Sequence, residues 1–266
     1  MSDRYAVIGN PVVHSKSPWI HAAFARATAQ ELEYGRIEAP LGGFAQALER
    51  FRAGGGRGLN VTLPFKEQAF RCCTRTTGRA RAAQAVNTLV LDAGILGDNT
   101  DGIGLARDLS QNLGVELAGK TLLLMGAGGA AQGVLGALLE ARVAQLVIAN
   151  RTPAKALALA ARFAAVSACG YEELAGRSFD IVINATSAGL VGEAPALPRG
   201  VLGEHTLAYD MVYGRDTPFL AAARAAGARA CDGLGMLVEQ AAESFFVWRG
   251  VRPQTRPVLE ALRGSR

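Results

Sequence analysis

Lys66 stands six residues after Asn60 and four after Thr62 in the run Asn60-Val61-Thr62-Leu63-Pro64-Phe65-Lys66, and Asp101 falls within Asn99-Thr100-Asp101-Gly102. An ammonium held beside a carboxylate can give a proton to an alcohol oxygen or take one away, which a hydride transfer between an alcohol and a nicotinamide requires. Taken alone, Lys66 reads as a surface lysine and Asp101 as a turn residue capping the next helix. Spacing by itself does not bring the two together. Ser15-Lys16-Ser17 and Asn87-Thr88 are two more polar clusters; all lie near strand ends, where open α/β sheets bind ligands. Ser15 and Ser17 flank one residue, so both hydroxyls can reach a common anion at a helix N-terminus, although Ser17 also reads as a plain N-cap.

A second constellation is Gly126-Ala127-Gly128-Gly129-Ala130-Ala131, which follows an apolar strand and opens a helix. Gly126 allows the tight turn, Gly128 lets backbone approach a pyrophosphate, and the small Ala131 lets helix and strand pack closely. The same glycines would also serve a strand-to-helix turn with no ligand. The next strand ends at Asn150-Arg151-Thr152, where an NAD site usually carries a carboxylate for the ribose 2′-hydroxyl. Arg151, with Lys155 one helical turn later, suits a 2′-phosphate instead, and Thr152 can cap the helix and donate to phosphate. NADP is therefore the expected cofactor. No metal is expected, because His14, His21 and His205 form no ligand grouping with Cys72, Cys73, Cys169 or Cys231.

The elements that must position these groups fall into two rhythms. Over the first hundred residues or so, strands at 5–9, 34–38, 58–62, 85–91 and 95–97 are interspersed with helices opening at Ser17-Pro18 and covering 43–53 and 66–72. After Asp101, a helix over 103–113 is followed by apolar strands at 122–125, 146–149, 181–184 and 207–210, alternating with helices around 130–141, 153–164 and 217–226. That alternation predicts a parallel sheet with crossover helices. Residues 237–249 and 257–262 return to helix with no strand after them, so they can pack back on the first unit. The expected fold is thus α/β, with two α/β domains, the second a Rossmann-like doubly wound parallel sheet.

Composition narrows the function classes. The chain has 266 residues, 50% of them hydrophobic, and a net charge of +5 that never condenses into a basic block. It can bury a core, and no nucleic-acid footprint is expected. The apolar start before Gly9 and Pro11 is too short for a signal peptide, and the long apolar window at 122–141 is broken by glycines, so neither export nor membrane insertion is expected. Cysteine usage fits a cytoplasmic location. The sequence sets no oligomeric state, and a homodimer is compatible with it.

The runs VIGNPVVHSKSPWIH, NVTLPFK, AVNT, DNTDGIG, GAGGAA, NRT, NATSAG, DMVYG and DGLGMLVEQA follow one another in the order, and at roughly the intervals, of the shikimate dehydrogenase family. The chain resembles that family over nearly its whole length. The resemblance implies NADP-dependent, reversible reduction of 3-dehydroshikimate to shikimate in aromatic amino-acid biosynthesis. It implies a substrate domain over 1–101 completed by 237–266, and an NADP-binding domain over 102–236. Lys66 and Asp101 are then the catalytic pair, and Ser15 and Ser17 hold the substrate carboxylate. Thr62, Asn87, Asp101 and Gln240 meet the ring hydroxyls, with Asn60 and Tyr213 as lesser members. Thr186, Met211, Gly233 and Met236 fall near the nicotinamide half, and Gly126 to Ala131, Asn150, Arg151, Thr152 and Lys155 hold the rest of the dinucleotide. Two rival readings are a quinate or dual quinate/shikimate dehydrogenase on the same fold, and an NADPH-responsive binding protein without turnover.

Overall fold

The structure, a computed structural model, describes residues 2–193 and 195–264. It divides into two compact units, Met1–Gly104 with Leu237–Arg266, and Leu105–Met236.

In the first unit, β1 (Asp3–Gly9), α1 (Ser17–Ala27), β2 (Leu32–Glu38), α2 (Phe44–Ala53), β3 (Gly56–Val61), α3 (Lys66–Cys72), β4 (Arg75–Thr76), α4 (Gly78–Ala83), β5 (Thr88–Asp92) and β6 (Gly94–Asp98) follow in order. They make a six-stranded sheet in the order β2-β1-β3-β5-β6-β4. β2, β1 and β3 run parallel, while β5 is antiparallel to β3 and β6. One layer of its core joins Ile8, Leu59, Val61 and Leu89 to Phe44, Leu48 and Phe65 from the helical side. α5 (Asp101–Arg107) begins in this unit, and α9 (Leu234–Arg249) and α10 (Arg256–Gly264) supply its C-terminal helices. The expected return of the tail helices is therefore what the chain does.

An aromatic layer in this unit encloses His21, which is 0% exposed and stacks on Tyr34 at 4.2 Å, with Trp248 at 5.3 Å and Phe24 at 6.1 Å between ring centroids. Neither ring nitrogen makes a regular hydrogen bond. Burial drives its pKa from 6.5 down to about 3, the Asn60 side chain nearby pulling weakly the other way. The unfolded chain therefore takes up a proton below pH 6.5 that the folded protein refuses until about pH 3, so stability is lost as pH falls through that window. Between pH 7.5 and 5.0 this costs about 2 kcal/mol, readable as a drop in the urea midpoint. The His21→Phe variant, which keeps a flat ring, should lose much less over the same interval. An equally steep loss in that variant would assign the acid sensitivity elsewhere.

In the second unit, β7 (Thr121–Met125), α6 (Gly129–Glu140), β8 (Gln145–Ala149), α7 (Pro153–Ala160), β9 (Val166–Cys169), β10 (Ile181–Asn184), β11 (Leu207–Asp210), α8 (Pro218–Ala225) and β12 (Arg229–Asp232) build a parallel six-stranded sheet in the order β12-β11-β10-β7-β8-β9. Strand β7 shows why its sequence is an unbroken apolar run. Leu122 and Leu124 pack on one face with Val134, Leu135 and Leu138 of α6, while Leu123 and Met125 pack on the other with Phe219 and Leu220 of α8. Burial on both faces defines a doubly wound sheet. No helix among the described residues is long and apolar enough to cross a membrane.

The structure adds elements to the expected set. β4, β9 and β12 are short edge strands, and α4 is a single short helix. The helix after Asp101 is also not uniform: residues Asp108–Asn112 form a π turn. There the buried Asp108 carboxylate accepts from Tyr209 Oη at 2.6 Å and from Asn112 Nδ2 at 2.9 Å. Cys72 ends α3 and Cys73 turns into extended chain, its Sγ donating to the Ala69 carbonyl, so the pair does not share one regular element.

Candidate functional site

In the first unit, the loop after β3 delivers Lys66 as the first residue of α3, and the loop after β6 delivers Asp101 as the first residue of α5. The two side chains meet: Lys66 Nζ donates to Asp101 Oδ2 at 2.5 Å. Their side chains are only 14% and 6% exposed, so the ion pair is poorly hydrated yet reachable from the lysine end. The second carboxylate oxygen, Oδ1, accepts from Asn87 Nδ2 at 2.8 Å, and Asn99 Oδ1 accepts from the Asp101 backbone N–H at 3.1 Å. With both oxygens engaged, the carboxylate cannot rotate freely, and the lysine it holds is preorganised.

Asn87, at the start of the β5 hairpin and 2% exposed, is the hub of a buried polar seam. Its Oδ1 accepts the Thr100 backbone N–H at 2.8 Å, and its Nδ2 also lies 2.9 Å from Thr100 Oγ1 and 3.2 Å from Gln240 Oε1. Asn60 Nδ2 donates to the Asn87 carbonyl at 3.1 Å and to Ser244 Oγ at 3.0 Å, while Tyr34 Oη donates to Asn60 Oδ1 at 2.7 Å. Thr88, Thr100 and Ser244 complete the seam, with hydroxyl oxygens of Thr88 and Ser244 2.7 Å apart and those of Thr100 and Ser244 3.2 Å apart. Gln240 reaches this place because α9 crowds against α5: a Cβ on Gly104 would fall 2.6 Å from Gln240 Cβ and 2.8 Å from its backbone nitrogen.

Ser15 and Ser17 also meet, with Ser15 Oγ donating to Ser17 Oγ at 3.1 Å. Ser17 is not a capping residue, however. It lies inside α1, Lys16 takes the cap position without a side-chain bond, and Ser15 Oγ accepts the Ser17 N–H at 3.2 Å. Pro18, which lacks an N–H, leaves the first turn one donor short, so the serine ahead of it serves the remaining N–H. Thr62 is half-buried, its methyl filling the space beside Gly9. Tyr213 belongs to the second unit and is half-buried on the loop after β11.

In the second unit, the turn between β7 and α6 has the form a pyrophosphate requires. Gly126 adopts φ +106°, a left-handed conformation open to glycine, and an added Cβ would lie 3.2 Å from the Ala185 backbone. Gly128 caps α6 in extended conformation, and nothing stands within 4 Å of where its Cβ would be, so the α6 N-terminus has open space before its N–H groups. Ala127, Gly129 and Ala130 keep this turn free of bulky side chains, and Ala131 is fully buried against the sheet. After β8, Asn150 Nδ2 donates to the Thr152 carbonyl at 2.9 Å, which fixes the loop. Thr152 takes the cap position of α7, but its hydroxyl makes no capping bond, so it keeps only the phosphate-donor half of its expected role. Arg151 and Lys155 are exposed and, among the described residues, unpaired by any carboxylate. This residue set fits a dinucleotide that carries a 2′-phosphate.

Residues expected near the nicotinamide are spread over the loops after β10, β11 and β12 and the first turn of α9. Thr186 Oγ1 donates to Asn184 Oδ1 at 2.7 Å, and the Met211 N–H donates to the Asn184 carbonyl at 3.0 Å. An added Cβ at Gly233 would strike the Met211 carbonyl at 2.4 Å. Met236 is 6% exposed and packs in the sheet's core layer. Burial pushes the nearby Asp210 carboxyl above the ordinary carboxylate range, against hydrogen bonds from Thr217 and Val212. Sequence reasoning did not single out Tyr34, Thr100 or Ser244 as members of the polar seam. Only Thr100 had a visible signal, its place in the Asn99-Thr100-Asp101 run.

Three family descriptions match the chain: the shikimate dehydrogenase substrate binding domain over residues 7–89, shikimate/quinate 5-dehydrogenase over 107–192, and the shikimate 5′-dehydrogenase C-terminal domain over 233–263. A shikimate dehydrogenase (NADP(+)) of Aromatoleum aromaticum is 60% identical over 270 residues, spanning 98% of this chain and 97% of its own. Among solved structures, an Ael1 enzyme from Pseudomonas putida superposes with a TM-score of 0.92 at 52% identity, covering 98% of both chains. The Thermus thermophilus shikimate 5-dehydrogenase in complex with NADP(H) and shikimate gives 0.89 at 36% identity, covering 99% of this chain and 100% of that one.

Proposed function

Because the chain belongs to the shikimate dehydrogenase family, we propose that Lys66 and Asp101 are its proton-transfer pair and that the polar groups around them form its substrate site. The protein is an NADP-dependent oxidoreductase that acts on shikimate, and its reaction is the reversible reduction of 3-dehydroshikimate. The 2.5 Å contact between Lys66 Nζ and Asp101 Oδ2 carries the assignment, since it holds a proton donor at one place with little exposure to water.

The dinucleotide, when bound, supplies the hydride. Gly126 to Ala131 would hold its pyrophosphate through the free N–H groups of α6, and Arg151, Thr152 and Lys155 its 2′-phosphate. The chain's own part in the reaction is the proton. In the reducing direction Lys66 Nζ gives a proton to the carbonyl oxygen as that oxygen gains charge, and in the oxidising direction it takes the hydroxyl proton back. Asp101 keeps the Nζ in place throughout. Asn87 and Gln240, bonded to each other in the seam, would exchange part of these internal bonds for bonds to the ring hydroxyls, with Thr62 and Asn60 beside them. Ser15 and Ser17 turn their hydroxyls to the carboxylate. An analogue that leaves one of these polar groups unpaired is disfavoured by up to about 10⁴-fold.

The free state of all four cysteines supports work in the reducing cytoplasm. The basic Arg151 loop favours the NADP-dependent shikimate reaction over a quinate enzyme using NAD. Absorbance at the reduced-nicotinamide band, with shikimate or quinate and NADP or NAD in four combinations, tests this. Shikimate with NADP should be fastest; quinate with NAD in first place would establish the rival enzyme, and no turnover in any mixture would leave a binding protein.

A further inference from the structure

β2 is one edge strand of the first sheet, and Tyr34 and Arg36, two residues apart, share one of its faces. Helix α1 covers that face, as the stacking of its His21 on Tyr34 shows. Tyr34 and Arg36 therefore both reach groups assigned above to the substrate. Tyr34 Oη donates to Asn60 Oδ1, and Arg36 donates to the Ser15 carbonyl through Nη2 at 2.7 Å and Nε at 3.2 Å. That carbonyl belongs to the residue whose hydroxyl is paired with Ser17. Among the described residues Arg36 forms no ion pair, and its Nη1 makes no hydrogen bond, so the positive charge on this loop is uncompensated.

We propose that Arg36 is a positioning and specificity-determining residue for the anionic end of the substrate: it clamps the Ser15 loop and supplies the charge that favours a carboxylate over a neutral group. The serine hydroxyls are neutral donors and bring no charge of their own to favour an anion over an ester or amide. A fixed guanidinium near them removes that indifference. Its fork on one carbonyl holds Ser15 and Ser17 together, and its field acts on the ligand over a few ångströms. Because Arg36 is exposed, that field is screened by salt.

This inference rests on the reading of Ser15 and Ser17 as the carboxylate site. The test is the steady-state kinetics of Arg36→Gln, Arg36→Lys and Ser15→Ala with shikimate and with its neutral methyl ester, at low and at physiological ionic strength. Arg36→Gln keeps an amide donor and loses the charge. It should raise KM for shikimate about 5- to 10-fold at low salt, leave kcat within about twofold, and change KM for the ester by less than about twofold. KM of the wild-type protein should rise with salt, and that rise should flatten in the variant. Arg36→Lys should fall between it and wild type. Equal increases for acid and ester would show a loosened loop rather than charge recognition and would overturn the proposal. So would an unchanged KM in Arg36→Gln when Ser15→Ala raises it. If Ser15→Ala itself leaves KM for shikimate unchanged, the carboxylate assignment fails instead.

Discussion

Replacing Lys66 by alanine should lower kcat by about 10²- to 10⁴-fold in both directions, with a far smaller change in KM. In the proposed mechanism its ammonium carries the proton at the reacting oxygen, while Asn87, Gln240, Ser15 and Ser17 meet the substrate's other hydroxyls and its carboxylate. Lys66→Arg separates charge from proton transfer. A guanidinium remains protonated at any working pH, so it can sit beside Asp101 and still not act as a base. That variant should bind substrate and stay slow. Asp101→Asn is informative in another way: the two carboxylate oxygens accept from Lys66 and from Asn87, whereas an asparagine offers only one oxygen. One donor must then face another donor, and turnover should fall, though less than with Lys66→Ala. Initial rates in both directions measure all of this, and near-normal turnover by Lys66→Ala would refute the proton-transfer role.

The second large effect concerns the cofactor. Removing both Arg151 and Lys155 by alanine substitution should raise KM for NADP about 10- to 100-fold while leaving KM for NAD within about twofold, because only NADP presents a 2′-phosphate to these side chains. Both residues are exposed, so the loss should shrink at high salt. If NADP and NAD weaken together, the two side chains serve the fold of the loop after β8 and do not read the phosphate.

Much of this arrangement is legible in the letters, and particular residues show why the rest is not. The apolar run at 122–125 and the glycines after it announce a strand buried on two faces and a tight strand-to-helix turn, because both features leave local composition behind. Lys66 and Asp101 could be named as a pair from motif order, yet only folding brings them together across 35 positions of sequence. Ser244 shows the limit more sharply. It meets Asn60 across 184 positions, and in sequence it is one small polar residue in a largely apolar helix that is buried on most sides. The edge strand β12 is partly exposed at most positions and carries few apolar residues, so it has no periodic signature. The π turn at 108–112 likewise leaves the helical spacing of its neighbours nearly intact.

The seam of Thr88, Thr100 and Ser244 has more acceptors than protons. Each hydroxyl owns one hydrogen, and the Thr88–Ser244 and Thr100–Ser244 contacts can each run either way, with Asn87 Oδ1 and the Gln240 carbonyl as alternative endpoints. The circuit can therefore invert its polarity by rotation of O–H bonds alone, with every heavy atom at rest. A rigid amide such as Asn87 keeps its nitrogen as donor and its oxygen as acceptor throughout, so the reordering of protons is absorbed by the hydroxyls behind it.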